Sequence, residues 1–160
     1  MENYKGEEIF FNGCAGCAYA NHEFSIPCGI AYEKDGFTIS QDWELPIEGF
    51  YIVSPIRHVE KFEELSADER NKMFDLVDKT IKILRLNNVC DRFEIIFEEK
   101  ENRHLHVWVM PRHEWMHKVT DEIIDNIGTV LNYAKDNFRN EDIYKRIDEV
   151  NNTLKEELNK

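Results

Sequence analysis

The stretch His104-Leu105-His106-Val107-Trp108-Val109-Met110-Pro111-Arg112 decides the reading of this chain. Its residues alternate. Leu105, Val107 and Val109 fall on one side of an extended backbone, and His104, His106 and Trp108 on the other, because successive strand side chains point to opposite faces. Pro111 lacks the N–H that a ladder needs and closes the strand. One face belongs to a core; the other carries two imidazoles and an indole. Two histidines placed two residues apart can serve as adjacent metal ligands, or as one ligand beside one nucleophile.

Upstream, Ile30–Tyr32 and Phe37–Ile39 flank Lys34-Asp35-Gly36, and Asp-Gly between apolar runs predicts a hairpin. Phe50-Tyr51-Ile52-Val53 predicts a third strand, stopped by Pro55, and Phe93–Phe97 another, apolar and aromatic-rich. Between them Ser66-Ala67-Asp68-Glu69 is a capping box that starts a helix. Met73, Val77, Ile81 and Leu84 keep its helical spacing, and Asn87-Asn88 ends it. Downstream, two helices are expected, at about Thr120–Phe138 and Glu141–Leu158. The first has an amphipathic face of Ile123, Ile124, Ile127, Val130, Leu131 and Ala134. The second has a thin stripe of Ile143, Ile147, Val150 and Leu154, suited to a surface or a partner chain. Strands, then helix, then strands, then helices argue an α+β fold with an antiparallel sheet of about five strands.

The 160 residues suit a single folded unit able to bury roughly 70% of its unfolded surface, and 42% are hydrophobic and 32% charged. No run approaches the roughly 20 apolar residues of a membrane helix. The residues from Met1 to Glu8 lack the apolar core of a signal peptide, so a cytoplasmic protein without membrane partners is expected. A net charge of −12 repels nucleic acid unless one face is locally basic, but leaves room for a small anionic ligand. Among four cysteines, Cys14 and Cys17 form a Cys-x-x-Cys, which reads as metal-binding or redox-active. Cys28 and Cys90 are isolated and read as small core residues.

The run from His104 to Arg112 resembles the signature of the histidine-triad superfamily, His-φ-His-φ-His-φ-φ (φ apolar), commonly followed by Pro-Arg. His104 and His106 match its first two histidines; Trp108 stands where the third would be. Phe37-Thr38-Ile39-Ser40-Gln41-Asp42, Gly49, and Val53-Ser54-Pro55-Ile56-Arg57-His58-Val59-Glu60 are similar to the family's upstream half. The likeness spans roughly Cys14 to Arg112. It implies a family-like domain over residues 1–118, including an N-terminal zinc-binding segment, with a helical extension at 119–160 packed on it. It also implies structural zinc on Cys14, Cys17, His58 and His104, as in the related galactose-1-phosphate uridylyltransferases, with His22 as the competing ligand. His113 and His117, past the strand, suit surface or pocket-rim positions.

The resemblance further implies a nucleotide hydrolase or nucleotidyltransferase in which His106 attacks the α-phosphate to form a nucleotidyl-histidine, and a homodimer with sheets joined across the interface. Asp42 aligns with an acidic residue that contacts ribose hydroxyls. Two departures matter. Trp108 offers one N–H and no proton that titrates near neutrality, so it is expected as a substrate-binding residue, with leaving groups that need no proton or with turnover lost, or else as a packing residue at a pocket wall or dimer contact. The family's Gly-rich phosphate loop is replaced by Glu98-Glu99-Lys100-Glu101-Asn102-Arg103, where solvated carboxylates are expected and Asn102 and Arg103 are the substrate-binding candidates. Arg57 and Arg112 are the other cations within reach. A zinc-stabilised nucleotide-binding module with little turnover is the alternative, and a plain interaction protein a third.

Overall fold

The computed structural model describes residues 1–99 and 103–160. Five strands, β1 (Ile30–Lys34), β2 (Phe37–Gln41), β3 (Tyr51–Pro55), β4 (Phe93–Glu98) and β5 (His106–Pro111), form one antiparallel sheet in the order β1-β2-β3-β5-β4. The α-helices are α1 (Ala15–Ala20), α2 (Ala67–Leu86), α3 (Glu114–Val119), α4 (Ile127–Asn137) and α5 (Glu141–Leu158), with a 3₁₀ turn at Phe62–Glu64. This is the α+β sheet-and-helix arrangement that the strand alternation predicts.

The hairpin turn is carried by Asp35 and Gly36, both at positive φ, as an Asp-Gly turn between twisted strands requires. α2 begins at the expected capping box: Glu69 N donates to Ser66 Oγ at 3.2 Å, and Ser66 N donates to Glu69 Oε2 at 2.8 Å. Period two then sorts the sheet into two faces. Phe37, Ile39, Tyr51, Val53, Val107 and Val109 pack against Met73, Leu76, Val77 and Leu84 of α2 and Leu154 of α5. On the other face, Phe50 and Met110 pack with Met116, Ile123, Val130 and Ala134 under α3 and α4. The remainder of that second face, from Thr38 to Trp108, is open to a cavity.

Several expectations change. The helix expected at Thr120–Phe138 starts later, as α4 at Ile127, after an extended Thr120 and a turn, and α3 is an additional helix just before the expected range. The Thr120 hydroxyl accepts from Glu122 N at 3.3 Å, a local bond that competes with helix propagation. β5 starts at His106 rather than His104, because Leu105 N donates to Val59 O at 2.7 Å instead of joining the ladder. Of the two settings expected for the α5 stripe, the surface is the one observed: Val150 and Leu154 pack on the core beside α2, and Ile143 and Ile147 with Tyr4. Cys28 and Cys90 are both half-buried; Cys28 packs against the Tyr4, Ile143, Tyr144 and Ile147 cluster. α1 and the 3₁₀ turn carry no periodic signal and went unforeseen.

Candidate active site and metal centre

Cys14 caps α1 and Cys17 follows one turn later. His58 follows β3, and His104 precedes β5. The four ligand atoms, two Sγ and two Nδ1, lie within 4.8 Å of one another. Cys17 Sγ is 3.2 Å from His58 Nδ1, and His104 Nδ1 is 3.6 Å from both sulfurs. A tetrahedral zinc site with Zn–S near 2.3 Å and Zn–N near 2.05 Å places its sulfur and nitrogen ligands about 3.6 Å apart.

The outer hydrogen bonds test the fit. His104 Nε2 lies 2.7 Å from Pro55 O, a carbonyl that can only accept, so Nε2 holds the proton and the Nδ1 lone pair faces the sulfurs. His58 Nε2 lies 3.2 Å from Glu60 Oε1, with the same result. Both imidazoles are thus oriented by an acceptor behind them, as metal-bound histidines are.

Burial depresses the His104 pKa, which favours the neutral, ligating form. The bond to Glu60 raises that of His58. Burial pushes Cys17 up to about 11, with Cys14 adding to it. For Cys14 burial acts upward too, but hydrogen bonds from Cys17 outweigh it and hold this thiol below its usual value. Glycine at 16 is required: a Cβ there would lie 2.5 Å from His104 Cβ and Cγ. His22 is absent from the cluster; it is exposed and pairs with Glu33 at 3.1 Å.

Beside this cage lies a cavity of about 430 Å³, lined by strand residues Thr38, Ser40, Ile52, Ser54, His106 and Trp108, by Asp42, Trp43 and Glu44, by Arg103 and His104, and by the N-terminal segment. That volume is in the range of small-molecule sites. His106 Nδ1 is 2.8 Å from the His104 carbonyl oxygen. The oxygen cannot donate, so Nδ1 carries a hydrogen, and Nε2 is the ring nitrogen not engaged by this bond. Asp42 Oδ1 accepts from Glu44 N and Leu45 N at 2.9 and 3.0 Å. Burial nevertheless pushes its pKa up to about 7, with Glu44 adding to the effect and the two backbone bonds opposing it. Trp108 packs edge-on against Phe50, ring centroids 5.3 Å apart, and its centroid is 6.2 Å from that of His106.

Among the expected binding residues, Asp42, Arg103 and Trp108 all line the cavity; Asn102 lies outside the described residues, as do Lys100 and Glu101 of the acidic run. Glu99 turns away to accept from Phe62 N at 2.8 Å. Arg57 is held by Glu69 through bonds of 2.8 and 2.9 Å, and Arg112 by Glu94 at 3.2 Å; neither lines the cavity. His113 bonds Glu48 O at 2.8 Å, and His117 is an exposed residue of α3. Sequence reading missed the aromatic wall of Phe11, Tyr19 and Trp43. Spacing carried no sign of it, because a non-periodic segment brings two of its members in.

No family profile matches the chain. It is similar to an uncharacterised HIT-like protein of Methanocaldococcus jannaschii, 28% identical over 106 residues, 63% of this chain and 80% of that protein. In structure it is similar to a zinc-bound histidine-triad family protein from Mycobacterium smegmatis (TM-score 0.63, 18% identity, covering 91% of this chain and 93% of that one). It is also similar to a hypothetical histidine-triad nucleotide-binding protein from Sulfolobus tokodaii (TM-score 0.59, 18% identity, 91% and 92% covered). The fold is the one these histidine-triad structures share. Among the described residues no helix is long and apolar enough to cross a membrane.

Proposed function

We propose that this chain is a histidine-triad-type protein that binds a nucleotide, or a nucleotide joined to a second group, and cleaves it at the α-phosphate through His106. The observation that carries the reading is the bond from His106 Nδ1–H to His104 O, which leaves Nε2 as the ring nitrogen placed to attack from the wall of the cavity. In the proposed step Nε2 attacks phosphorus, an N–P bond forms, and the leaving group departs with the P–O electron pair. The His104 carbonyl stabilises the positive charge that the ring acquires. Water then attacks phosphorus, the N–P pair returns to Nε2, and a nucleoside monophosphate and a proton are released. Arg103 supplies positive charge beside the cavity, Asn102 is the neighbouring candidate in sequence for a phosphate contact, and Asp42, when ionised, accepts hydrogen bonds from ribose hydroxyls.

In this reading Cys14, Cys17, His58 and His104 hold a structural zinc ion, whose contribution is to bind the N-terminal segment to the residue preceding β5. Residues 1–118 make up the catalytic domain, and 119–160 a helical extension packed on it, with α4 on the sheet face that bears the cavity and α5 against β1 and α2. β4 is an edge strand with Ile95 and Phe97 exposed, beside Phe74 of α2, and a second copy pairing there would give a homodimer.

Trp108, standing for the third histidine, supports leaving groups that need no proton, since losing a general acid typically costs about 10²–10⁴-fold in rate. The same residue supports a second reading, a nucleotide-binding module with little turnover. Zinc-loaded parent and His106→Ala are to be compared on dinucleoside polyphosphates and nucleotide sugars, alongside AMP binding. Turnover lost in the variant is expected. Equal rates refute the nucleophile, and tight binding without product from the parent selects the module.

A further inference from the structure

The four cage residues are not equivalent in the chain. Cys14 caps α1 and Cys17 is its third residue, so both sulfurs stand on one helical turn. His58 and His104 belong to other parts of the fold, 41 residues beyond Cys17 and 90 beyond Cys14. Positions three apart on a helical turn have Cα atoms about 5 Å apart, inside the range of about 4.4–6.8 Å that a disulfide spans. The two sulfurs lie within 4.8 Å of each other. Each therefore has two uses that exclude one another. A bond to a shared ion ties α1 to the residues flanking β3 and β5; a bond to the other sulfur ties α1 only to itself.

The thiols are also within reach of small solutes. Both are half-buried. Cys14 lines the cavity, and Cys17 meets the imidazole of His58, whose side chain is 42% exposed. Reactive cysteines occupy such partly exposed sites, whereas fully buried structural ones are inert. Cys28 and Cys90 have a different setting: their thiols donate to backbone carbonyls, Gly29 O at 3.7 Å and Arg92 O at 3.1 Å. α1 has little strength to spare. Its six residues are too short to persist alone in water, and apart from the cage it is held through Tyr19, packed on Phe24 and Trp43. Yet α1 and the residues before it, from Phe11 to Gly16, form one wall of the cavity.

Resting on the zinc reading above, we propose that Cys14 and Cys17 form an oxidation site, at which hydrogen peroxide converts the metal cage into a disulfide within α1 and frees the N-terminal wall of the cavity. The Cys14 sulfur attacks one peroxide oxygen, the O–O bond breaks, and hydroxide leaves with the electron pair, giving a sulfenic acid. The Cys17 sulfur then attacks the Cys14 sulfur, the S–S bond forms and a second hydroxide leaves. The two sulfurs lose two electrons and the peroxide gains them; the metal ion keeps its charge. Two imidazoles are left where a closed zinc site uses four ligands, so the site empties. A dithiol reductant cleaves the disulfide and restores both ligands.

The test treats the zinc-loaded full chain with hydrogen peroxide. Released zinc is read with a chromophoric chelator, disulfides by peptide mass mapping, and backbone protection by amide hydrogen exchange. The expected result is one equivalent of zinc per Cys14–Cys17 disulfide, with two of the four cysteines still free thiols. α1 loses exchange protection while β2 and β3 keep theirs, and dithiol plus zinc restores the starting state. Zinc affinity of the oxidised chain should fall about 100-fold or more, since losing even an orienting contact costs about 10–100-fold. A chain carrying Cys28→Ala and Cys90→Ala is expected to release zinc as the parent does; mapping on the parent answers the same question without any substitution. Zinc retained with Cys14 and Cys17 still reduced, a disulfide formed elsewhere, or sulfinic acids in its place overturns the proposal while the zinc reading stands. So does a Cys14–Cys17 disulfide that leaves α1 as protected as before. A reduced chain that takes up no zinc overturns that reading and this proposal with it.

Discussion

Replacing Gly16 by alanine adds one methyl group where the structure has no room. The new Cβ would sit 2.5 Å from His104 Cβ and Cγ and 2.7 Å from Nδ1. Carbon–carbon contacts are optimal near 3.5–4.0 Å, so relief requires a movement of about 1 Å. The ring cannot easily supply it: His104 is 7% exposed, its Nε2–H is fixed on Pro55 O, and its carbonyl holds His106. Nor can α1 move without carrying both cysteines. A 1 Å shift is several times the roughly 0.2 Å tolerance of ligand distances in a metal site. Overpacking alone costs about 1–3 kcal/mol, and a misplaced ligand adds a loss of about 10–100-fold in zinc affinity, the scale of losing an orienting contact. The assay is thermal unfolding of the zinc-loaded protein with chelator competition. Gly128→Ala serves as the control, since it sits in α4 with nothing within 4 Å of its Cβ and is expected to gain about 0.4–1 kcal/mol. A Gly16→Ala protein that binds zinc and melts like the parent refutes the reasoning.

Asp42→Asn keeps an Oδ1 that accepts from Glu44 N and Leu45 N but cannot ionise. Between the unfolded value near 3.9 and the folded value of about 7, the folded parent holds a proton that the unfolded chain releases, so the parent loses stability as pH rises through that window. The melting-temperature advantage of the variant should therefore grow from pH 4.5 to pH 8, and a constant difference rejects the raised pKa. Asn151, fully buried on α5, accepts from Tyr51 Oη at 3.3 Å and donates to Cys28 O at 2.8 Å. Asn151→Leu leaves those groups unsatisfied and should cost about 2–4 kcal/mol in urea unfolding; a neutral result would mean α5 is not docked through this residue. Ser66→Ala removes the acceptor of Glu69 N at the start of α2 and should cost about 0.5–2 kcal/mol in the same assay.

How far the fold was legible depends on which signal each element carries. The hairpin, α2 and the strands wrote themselves in local chemistry: Asp-Gly, Ser-x-x-Glu, and alternation that both faces of the sheet enforce. The cluster of Cys14, Cys17, His58 and His104 was legible through family likeness, and the structure brings those four residues together without His22. The late start of α4 was not legible, because a side-chain bond at Thr120 and a turn keep residues 120–126 out of the helix while the apolar spacing runs straight across them. The cavity's aromatic wall was opaque for a different reason. Phe11 and Tyr19 are placed by tertiary docking of a segment whose own helix is six residues, and no period reports that.

The opening strand ends with its two histidines in different jobs, and one residue joins them. The His104 ring faces the sulfurs of Cys14 and Cys17, while its backbone carbonyl takes the Nδ1 hydrogen of His106. The position of one peptide unit thus sets both a ligand of the cage and the tautomer of the proposed nucleophile. The ladder stops short of this unit: β5 begins only at His106, and Leu105 N is spent on Val59 O. That leaves the placement of His104 to Pro55 O, to the cage and to Gly16. Nucleophile geometry here therefore rests on side-chain chemistry rather than on sheet hydrogen bonding. Trp108 stands at the other end of the same face, packed on Phe50, where the strand is fully laddered. If His106 is the proposed nucleophile, its geometry is set beside the cage while Trp108 forms a packed wall further along the same face. On that reading Trp108 favours a substrate whose leaving group is already a stable anion.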